Sequence, residues 1–304
     1  MASRIRYARL ATERANPRSR ALDLLGPHEI ATLMNREDRR AVRAVGRVRA
    51  AIAAAVHVIV GALRAGGRLF FVGAGTSGRL GVLEAAECPP TFGTPRELVQ
   101  AIMAGGRGAV FRSREGAEDD ETAARRAVRA RVRRGDVVVG ISASGVTPFV
   151  RAALDAARKR GAKTVLISSN APGPGRALAD VRIVPATGPE VLTGSTRLKA
   201  GTATKLVLNT LTTAAMTGLG RVYGNRMIDL QPRSAKLRER ALRLIAEVAG
   251  VSRARALQAF EASGRRVRIA IVIARNGWDA AEASRALRAA GGSLRVVLQK
   301  LRRK

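Results

Sequence analysis

The segment FFVGAGTSGRLGVLEAAECPP, residues 70–90, predicts a buried strand, a glycine-rich turn and a helix in succession. Gly75 permits a tight turn, and Thr76 and Ser77 place hydroxyl groups where the helix begins. Hydroxyls and free backbone N–H groups at a helix N-terminus suit a phosphate group. An ordinary helix cap uses the same residue types, so this turn by itself is weak evidence for a binding site.

The turn differs from two common nucleotide-binding motifs. The strand after it ends in MAGG (103–106), without the carboxylate that holds a ribose in dinucleotide-binding folds. The lysine of the P-loop motif is also missing. The sequence therefore predicts a turn that binds a single phosphate group rather than a dinucleotide or a nucleoside triphosphate.

A second turn of the same kind follows a later strand, in SASGVTP (142–148). Ser142, Ser144 and Thr147 again supply hydroxyls before a helix, and Gly145 allows the backbone to come close to a ligand. Two such turns at the ends of parallel strands can converge on one anion, so the pair is a more specific signal than either alone. Neither turn contains a base, which argues against a serine nucleophile.

The apolar pattern predicts a parallel α/β fold. Strand-like segments alternate with amphipathic ones, and this order is typical of a parallel sheet with helices on both faces. Ligands of such sheets bind beyond the carboxyl ends of the strands. The predicted strands are 67–73, 98–106, 136–145, 162–170 and 180–185, and the predicted helices between them are 77–87, 118–133 and 147–160.

The chain ends differ from this middle part. We expect an N-terminal helical segment over 1–55, an α/β domain over 56–234 and a small helical C-terminal domain over 235–304. A long helix begins near Arg197 in this prediction. The segment RIAIVIA in the last domain contains enough β-branched residues to predict a strand. The helical patterns on both sides of it favour a helix instead.

Composition restricts the class of protein. The 304 residues contain one cysteine and two histidines, which excludes an internal disulfide and argues against a metal site. Neither an apolar run of transmembrane length nor a secretory signal is present, so we expect a cytoplasmic protein without membrane association.

The formal net charge of +32 suits either a nucleic-acid surface or solvated helix faces. We favour helix faces, because no interleaved aromatic residues or basic recognition helix accompany the charge.

Four sequence blocks resemble, in order, the signature blocks of the N-acetylmuramic acid 6-phosphate etherases, a family built on the sugar isomerase (SIS) domain. The resemblance implies a flavodoxin-like three-layer SIS domain, a homodimer, a phosphorylated amino-sugar substrate, and no cofactor or metal. It covers almost the whole chain. The blocks are GAGTSGRLGVLEAAECPPTFG, EGAEDD, GISASGVTPFV and GPEVLTGSTRLKAGTATKLVLN.

The resemblance also implies a reaction. The family cleaves the D-lactyl ether of N-acetylmuramic acid 6-phosphate by elimination and then hydration, giving N-acetylglucosamine 6-phosphate and D-lactate in cell-wall recycling. Matching positions make Glu87 the proton donor and Glu118 the base. Read without the resemblance, Glu87 fits the last polar position of a helix ended by Pro89 and Pro90. Glu118 fits a residue that complements a helix dipole.

Weaker substrate-binding candidates follow from the fourth block. An ion pair between its glutamate and its lysine is the structural alternative to a substrate contact. These candidates are Glu190, Ser195, Arg197 and Lys199.

Two departures from the family pattern stand out: Val146 replaces an expected arginine, and Glu84 replaces an expected aspartate. The main alternative function is a non-catalytic SIS regulator that senses phosphosugars, as in the related glucokinase regulatory protein. A regulator would not need both glutamates, so their presence favours the enzyme.

Overall fold

A computed structural model describes residues 10–171, 179–230 and 234–300. A parallel five-stranded sheet is its central element, in the order β2-β1-β3-β4-β5. The five predicted strand segments and the α/β class are thereby confirmed. The strands are β1 (Leu69–Gly73), β2 (Val99–Met103), β3 (Val137–Ile141), β4 (Lys163–Ile167) and β5 (Val181–Ile183).

Within the described residues up to Gly218, six α-helices accompany the sheet. The central strands are buried along their whole length, as continuous apolar strands between two helical layers should be. Phe70 belongs to the core beneath α5, whereas the next residue, Phe71, faces α3 on the opposite side. The helices are α1 (Pro27–Arg47), α2 (Arg49–Arg64), α3 (Gly75–Phe92), α4 (Glu121–Arg131), α5 (Pro148–Lys159) and α6 (Lys199–Gly218).

One helix boundary differs from the prediction. We expected the helix after β1 to end before Pro89, but α3 continues through Pro89 and Pro90 to Phe92. A proline inside a helix removes one backbone hydrogen bond and usually ends or kinks the helix. Here the helix geometry persists, so Glu87 lies inside α3 rather than at its end.

Strand order fixes where a ligand can bind. β1 lies between β2 and β3. After β1 the chain continues to β2 on one side of the sheet, and after β3 it continues to β4 on the other side. Such a switch in strand order opens a crevice at the carboxyl ends of the two strands. Gly73 pairs with Ile141 at this edge, so the residues that follow each strand start from neighbouring positions.

The opposite ends of β1 and β3 are joined by a buried ion pair. The carboxylate of Asp136 accepts hydrogen bonds from the backbone N–H of Arg68 at 2.9 Å, from its guanidinium Nη2 at 2.7 Å and from the backbone N–H of Arg133 at 2.8 Å. Asp136 is fully buried. The Arg68 guanidinium also lies 5.0 Å from the ring centre of Phe70. This cluster fixes the register of the two strands before they reach the crevice.

The chain divides into two compact units. The first extends to Ala86 and then from Arg96 to Thr212, and the second comprises Glu87–Pro95 and the chain from Thr213 onward. The predicted division into 1–55, 56–234 and 235–304 stays a prediction about domains. A short two-stranded ribbon, β6 (Val222–Tyr223) and β7 (Arg226–Met227), lies in the second unit.

Five helices form most of the second unit. The segment RIAIVIA is part of a helix, as predicted, because Ala270, Ile271 and Val272 are all enclosed by the neighbouring helices. A helix buried on nearly all sides needs no polar face, which accounts for its β-branched composition. The helices are α7 (Ala235–Ala249), α8 (Arg253–Ala262), α9 (Val267–Asn276), α10 (Ala280–Ala289) and α11 (Leu294–Lys300).

Within the described residues, no single helix has the length and apolar composition needed to cross a bilayer. The consecutive helices α1 and α2 meet that criterion only when counted together, and a bend of 59° separates them.

We expect Asp136→Ala to lower the free energy of unfolding by about 3 kcal/mol, because it leaves a guanidinium and two backbone N–H groups without their acceptor. Denaturant unfolding followed by circular dichroism measures this. Asp155→Ala is the control: Asp155 pairs with Lys159 at the surface of α5, and its loss should cost less than about 1 kcal/mol. Equal effects of the two changes would contradict the role of Asp136.

Candidate functional site

The turn after β3 is organised by its own hydroxyl groups. The Ser142 hydroxyl lies 2.7 Å from that of Thr147 and 3.2 Å from that of Ser144, and it accepts a hydrogen bond from the Gly145 N–H at 3.0 Å. The Ser144 hydroxyl accepts a hydrogen bond from the Val146 N–H at 3.2 Å. These groups can exchange their mutual hydrogen bonds for bonds to an anion without a change of backbone conformation.

Gly145 is required by this turn. Its φ is +76°, a conformation that strongly favours glycine. A Cβ atom at this position would lie 3.3 Å from the Cβ of Ser168, so a side chain would also crowd the end of β4. Thr147 is the N-cap residue of α5, and Pro148 opens that helix. The predicted glycine, hydroxyls and helix start therefore occur together.

Asn170, which we did not select from sequence, fixes the position of this turn. Its amide nitrogen donates to the Ala143 carbonyl at 3.0 Å and to the Thr12 hydroxyl at 3.0 Å, and its amide oxygen accepts from the Ala11 N–H at 2.8 Å. Asn170 is buried, so these bonds are shielded from water. The only sequence signal was its position at the end of the strand segment AKTVLISSN.

The turn after β1 lies at the neighbouring strand end. Gly75 has a φ of +53° and is the first residue of α3. Gly73 lies so close to the first helical turn that a Cβ atom on it would be 2.6 Å from the Gly78 nitrogen. The hydroxyls of Thr76 and Ser77 are half-buried and have no hydrogen-bond partner within the described part of the chain. They are thus available to a ligand, in contrast to the hydroxyls of the second turn.

A cavity of about 170 Å³ joins the first turn to one of the two predicted catalytic glutamates. Gly75 and Glu118 both line it, together with Arg79 and Arg114. Arg79 donates to the Val110 carbonyl at 2.8 Å, and Arg114 donates to the Gly105 carbonyl at 3.3 Å. Neither arginine was predicted from the sequence, although Arg79 lies only two residues after Ser77.

The Glu118 side chain forms no structural contact that the structure describes. The residue lies in a short 3-10 helix, Ala117–Asp119, before α4 begins at Glu121. Asp120 caps α4 by accepting from the Ala123 N–H at 2.8 Å. The dipole-complementing role that we considered for Glu118 therefore belongs to its neighbours, and the exposed Glu118 carboxylate forms no hydrogen bond or ion pair with the described residues.

Glu87 lies in the C-terminal part of α3, which belongs to the second unit. Its side chain is exposed and, like that of Glu118, has no hydrogen bond or ion pair to another residue that the structure describes. Because Pro89 and Pro90 lack N–H groups, the carbonyls of Ala85 and Ala86, just before Glu87, lose their usual i+4 helical donors.

Known proteins resemble the whole chain. N-acetylmuramic acid 6-phosphate etherase from a Picosynechococcus species is 50% identical over 95% of this chain and 97% of its own length. The protein of the same name from Geobacillus thermodenitrificans is 49% identical over 95% of this chain and 99% of its own. This chain belongs to the N-acetylmuramic acid 6-phosphate etherase family.

Further comparisons concern the fold. The glucokinase regulatory protein N-terminal SIS domain matches residues 51–158, and the general SIS domain matches residues 117–214. A phosphoheptose isomerase from Francisella tularensis aligns with a TM-score of 0.48 and 18% identity, over 65% of this chain and 98% of its own. The predicted SIS fold is confirmed by the matching SIS domains and the parallel sheet.

Glu190 of this etherase-family chain caps α6. Its carboxylate accepts from the backbone N–H of Lys199 at 3.0 Å and from that of Ala200 at 2.9 Å. Burial raises the pKa of Glu190, and these two backbone donors act in the opposite direction. We considered an ion pair between the Glu190 and Lys199 side chains, but their charged groups form no hydrogen bond with each other.

Lys199 instead pairs with Glu37 of α1. Its ammonium group donates to the Glu37 carboxylate and to the Pro189 carbonyl, and both charged side chains are buried. Asn16 and Arg18 also donate to Glu37, at 2.9 Å and 2.8 Å. Burial alone would raise the pKa of Glu37, but the hydrogen bonds from these groups hold it at about 2. Sequence patterns could not reveal a partner 162 residues away.

The remaining candidates are more open. Ser195 is half-buried in the loop before α6, and Arg197 is exposed there. Neither lines the cavity that contains Glu118. Substrate contacts by Glu190, Ser195, Arg197 and Lys199 stay predictions. Within the described residues, no group of three or more His, Cys, Asp or Glu side chains is arranged to hold a metal ion.

We expect Glu37→Gln to lower stability by about 3 kcal/mol at pH 7, because it leaves the Lys199 ammonium buried without its counter-charge. The folded-state pKa of about 2 lies below the ordinary value of 4.5, so the carboxylate stabilises the fold fully above pH 4.5 and loses this effect as the pH falls toward 2. Denaturant unfolding at pH 7, 5 and 3 should show the variant and the parent converging.

Glu97→Gln provides the matched control, because Glu97 is exposed and has no ion pair within the described residues. It should follow the parent at every pH. A gap between Glu37→Gln and the parent that is as wide at pH 3 as at pH 7 would contradict the depressed pKa.

Proposed function

We propose that this chain cleaves the D-lactyl ether of N-acetylmuramic acid 6-phosphate to give N-acetylglucosamine 6-phosphate and D-lactate. The observation that carries the proposal is 50% identity over 95% of the chain to a protein named for this activity. The site supports it independently, because a phosphate-type turn and an unengaged glutamate line one cavity at the end of β1.

The two hydroxyl turns anchor the substrate phosphate in this proposal. Thr76 and Ser77 offer unoccupied hydroxyls at the start of α3, and Ser142, Ser144 and Thr147 offer theirs before α5. Both helix N-termini favour negative charge, and Gly75 and Gly145 let the backbone N–H groups approach a phosphate closely. Phosphate binding by the turns fixes the sugar relative to the catalytic groups.

Glu118 is the base in this proposal. In the open-chain aldehyde the C2 proton is acidic, and the Glu118 carboxylate removes it as the bond from C3 to the lactyl oxygen breaks. A carboxylate that caps no helix and forms no ion pair is free to accept that proton. Arg79 and Arg114 line the same cavity and favour anionic substrate groups there.

Glu87 is the acid. It donates a proton to the lactyl oxygen as that oxygen leaves, so D-lactate departs with a neutral hydroxyl group. Water then adds at C3 of the unsaturated aldehyde, and the hydrated product is N-acetylglucosamine 6-phosphate. The elimination breaks the C3–O bond to lactate and the hydration forms a new C3–O bond from water, so there is no net oxidation or reduction and the proposed reaction uses no redox cofactor.

The cellular setting follows from this substrate. Phosphorylated N-acetylmuramic acid derives from the cell wall, so the proposed place of the reaction is peptidoglycan recycling in the cytoplasm. We also propose a homodimer, as the family resemblance implies. A phosphosugar-sensing regulator remains the alternative, and it would bind the substrate without releasing lactate.

We expect Glu118→Gln to reduce kcat by about 10²–10⁴, because the amide cannot accept the C2 proton. D-lactate release from N-acetylmuramic acid 6-phosphate measures this. Glu87→Gln should also release no lactate, yet it should still exchange the C2 proton with solvent deuterium, because the base is intact. If C2 proton exchange is lost in Glu118→Gln but retained in Glu87→Gln, then Glu118 is the base and Glu87 is the acid.

Asp119→Asn is the matched control for the base, because this exposed neighbour carries the same charge and does not line the cavity. It should retain the parent kcat. Parent-like turnover by Glu118→Gln would rule out its role, and a parent chain that binds the substrate without releasing lactate would favour the regulator.

We expect Ser142→Ala to raise KM about tenfold or more, because it removes a hydroxyl that would bind a charged phosphate. The comparison substrate is N-acetylmuramic acid without its phosphate. If Ser142 contacts the phosphate, the variant and the parent should process this compound equally poorly. An identical KM increase on both compounds would mean that Ser142 supports only the turn.

A further inference from the structure

The second unit contains a cavity of about 850 Å³ whose lining is strongly basic. Five arginines line it, and Asp229 is the only carboxylate among its described lining residues. The cavity is formed by the segment 221–230 and by parts of α9 and α10, none of which supplies a residue to the phosphate turns. The arginines are Arg221, Arg265, Arg266, Arg268 and Arg288.

Asp229 compensates only part of this charge. Arg268 binds its carboxylate through two guanidinium nitrogens, one of them at 2.8 Å, and Arg221 lies 3.5 Å from it. Burial and, to a smaller extent, the nearby Arg221 together lower the pKa of Arg268 to about 10. Burial likewise lowers the pKa of Arg221. One carboxylate therefore serves two guanidinium groups that already oppose each other, and an added anion would relieve that repulsion.

The other arginines of the cavity are largely uncompensated. Arg266 and Arg288 form no ion pair with any residue that the structure describes, whereas Arg265 pairs with Glu261 at 3.1 Å. All three are exposed at the cavity rim. Arg266 donates from Nε to the Ser263 carbonyl at 2.8 Å, but it has no carboxylate partner within the described residues. Guanidinium groups without a carboxylate partner are suited to bidentate contact with a phosphate.

The backbone at the rim is strained. Arg265 has a φ of +63°, and it is the only non-glycine residue with a positive φ in the part of the chain described. A long side chain in the left-handed region is uncommon and energetically unfavourable, and such residues concentrate at binding sites. The preceding residue, Gly264, has a similar φ of +65°. Glycine would also adopt the conformation at position 265 without strain, but an arginine is present there.

Helix α9 begins at the same place. Its first residues, Val267, Arg268 and Ile269, line the cavity, and no side chain caps its N-terminus. The free N–H groups and the positive end of the helix dipole add to the field of the arginines. Leu230 and Leu287 supply apolar wall next to this charged region.

We propose that this cavity binds a small phosphate monoester at a site separate from the phosphate turns of the first unit. The uncompensated guanidinium groups take the dianionic phosphate, and Leu230 and Leu287 contact the organic part of the ester. The cavity volume of about 850 Å³ exceeds what an inorganic ion needs and suits a ligand of sugar or aryl size.

Isothermal titration calorimetry with inorganic phosphate and with phenyl phosphate tests this on the full chain. We expect the parent to bind phosphate at two sites. The double variant Arg266→Gln/Arg288→Gln should bind more weakly at the second-unit site, by about tenfold for each arginine removed. Phenyl phosphate should bind more tightly than inorganic phosphate at that site. Ser142→Ala should affect only the other site, and the double variant should release lactate at the parent rate.

Arg285→Gln is the matched control, because Arg285 lies one turn before Arg288 on α10, is exposed and does not line the cavity. It should bind phosphate as the parent does. Equal weakening by Arg285→Gln would show a general charge effect and overturn the proposal. A single phosphate site that is lost in Ser142→Ala would overturn it as well.

Arg265→Gly separates binding from stability. Glycine accepts a φ of +63° without strain, so the unfolding temperature should equal or exceed that of the parent. Phenyl phosphate binding should nevertheless weaken, because one guanidinium group is lost. Unchanged binding in this variant would show that the strained arginine does not contact the ligand.

Discussion

The buried carboxylate of Asp136 holds the amino ends of β1 and β3 together, and the architecture of the first unit depends on that contact. Asp136 accepts hydrogen bonds from the backbone and the guanidinium of Arg68, which sets the two strands in register. Their carboxyl ends then lie side by side at the switch point of the sheet. The two turns that follow these strands therefore start from neighbouring positions at this edge of the sheet.

Several carboxylates of the first unit have structural roles, whereas Glu118 forms no hydrogen bond or ion pair with the described residues. Asp120 caps α4 and Glu190 caps α6, while Glu37 neutralises a buried lysine. Because these residues meet the structural demands, Glu118 keeps an exposed carboxylate at the cavity beside Gly75. A base that also capped a helix would have its charge stabilised by backbone donors and would accept a proton less readily.

The excess of arginine has at least one local explanation. In the second unit, the described residues that line the large cavity include five arginines and one carboxylate, and one of these arginines, Arg265, has a positive φ. In a chain with a net charge of +32, many surface arginines are expected that bind no ligand. Convergence around a concave site with an uncapped helix N-terminus is a more specific arrangement, and it gives this part of the charge a binding role.

The sequence by itself determined the five strands, the two glycine turns and the family, because these depend on apolar periodicity and on short contiguous motifs. Glu118 could be selected from such a motif. Only the tertiary structure decided that Lys199 pairs with Glu37, that Asn170 holds the second turn and that Arg79 lines the cavity of Glu118. It also decided that α3 continues through two prolines. These outcomes depend on contacts between residues far apart in the chain, and local propensity and spacing carry no information about such contacts.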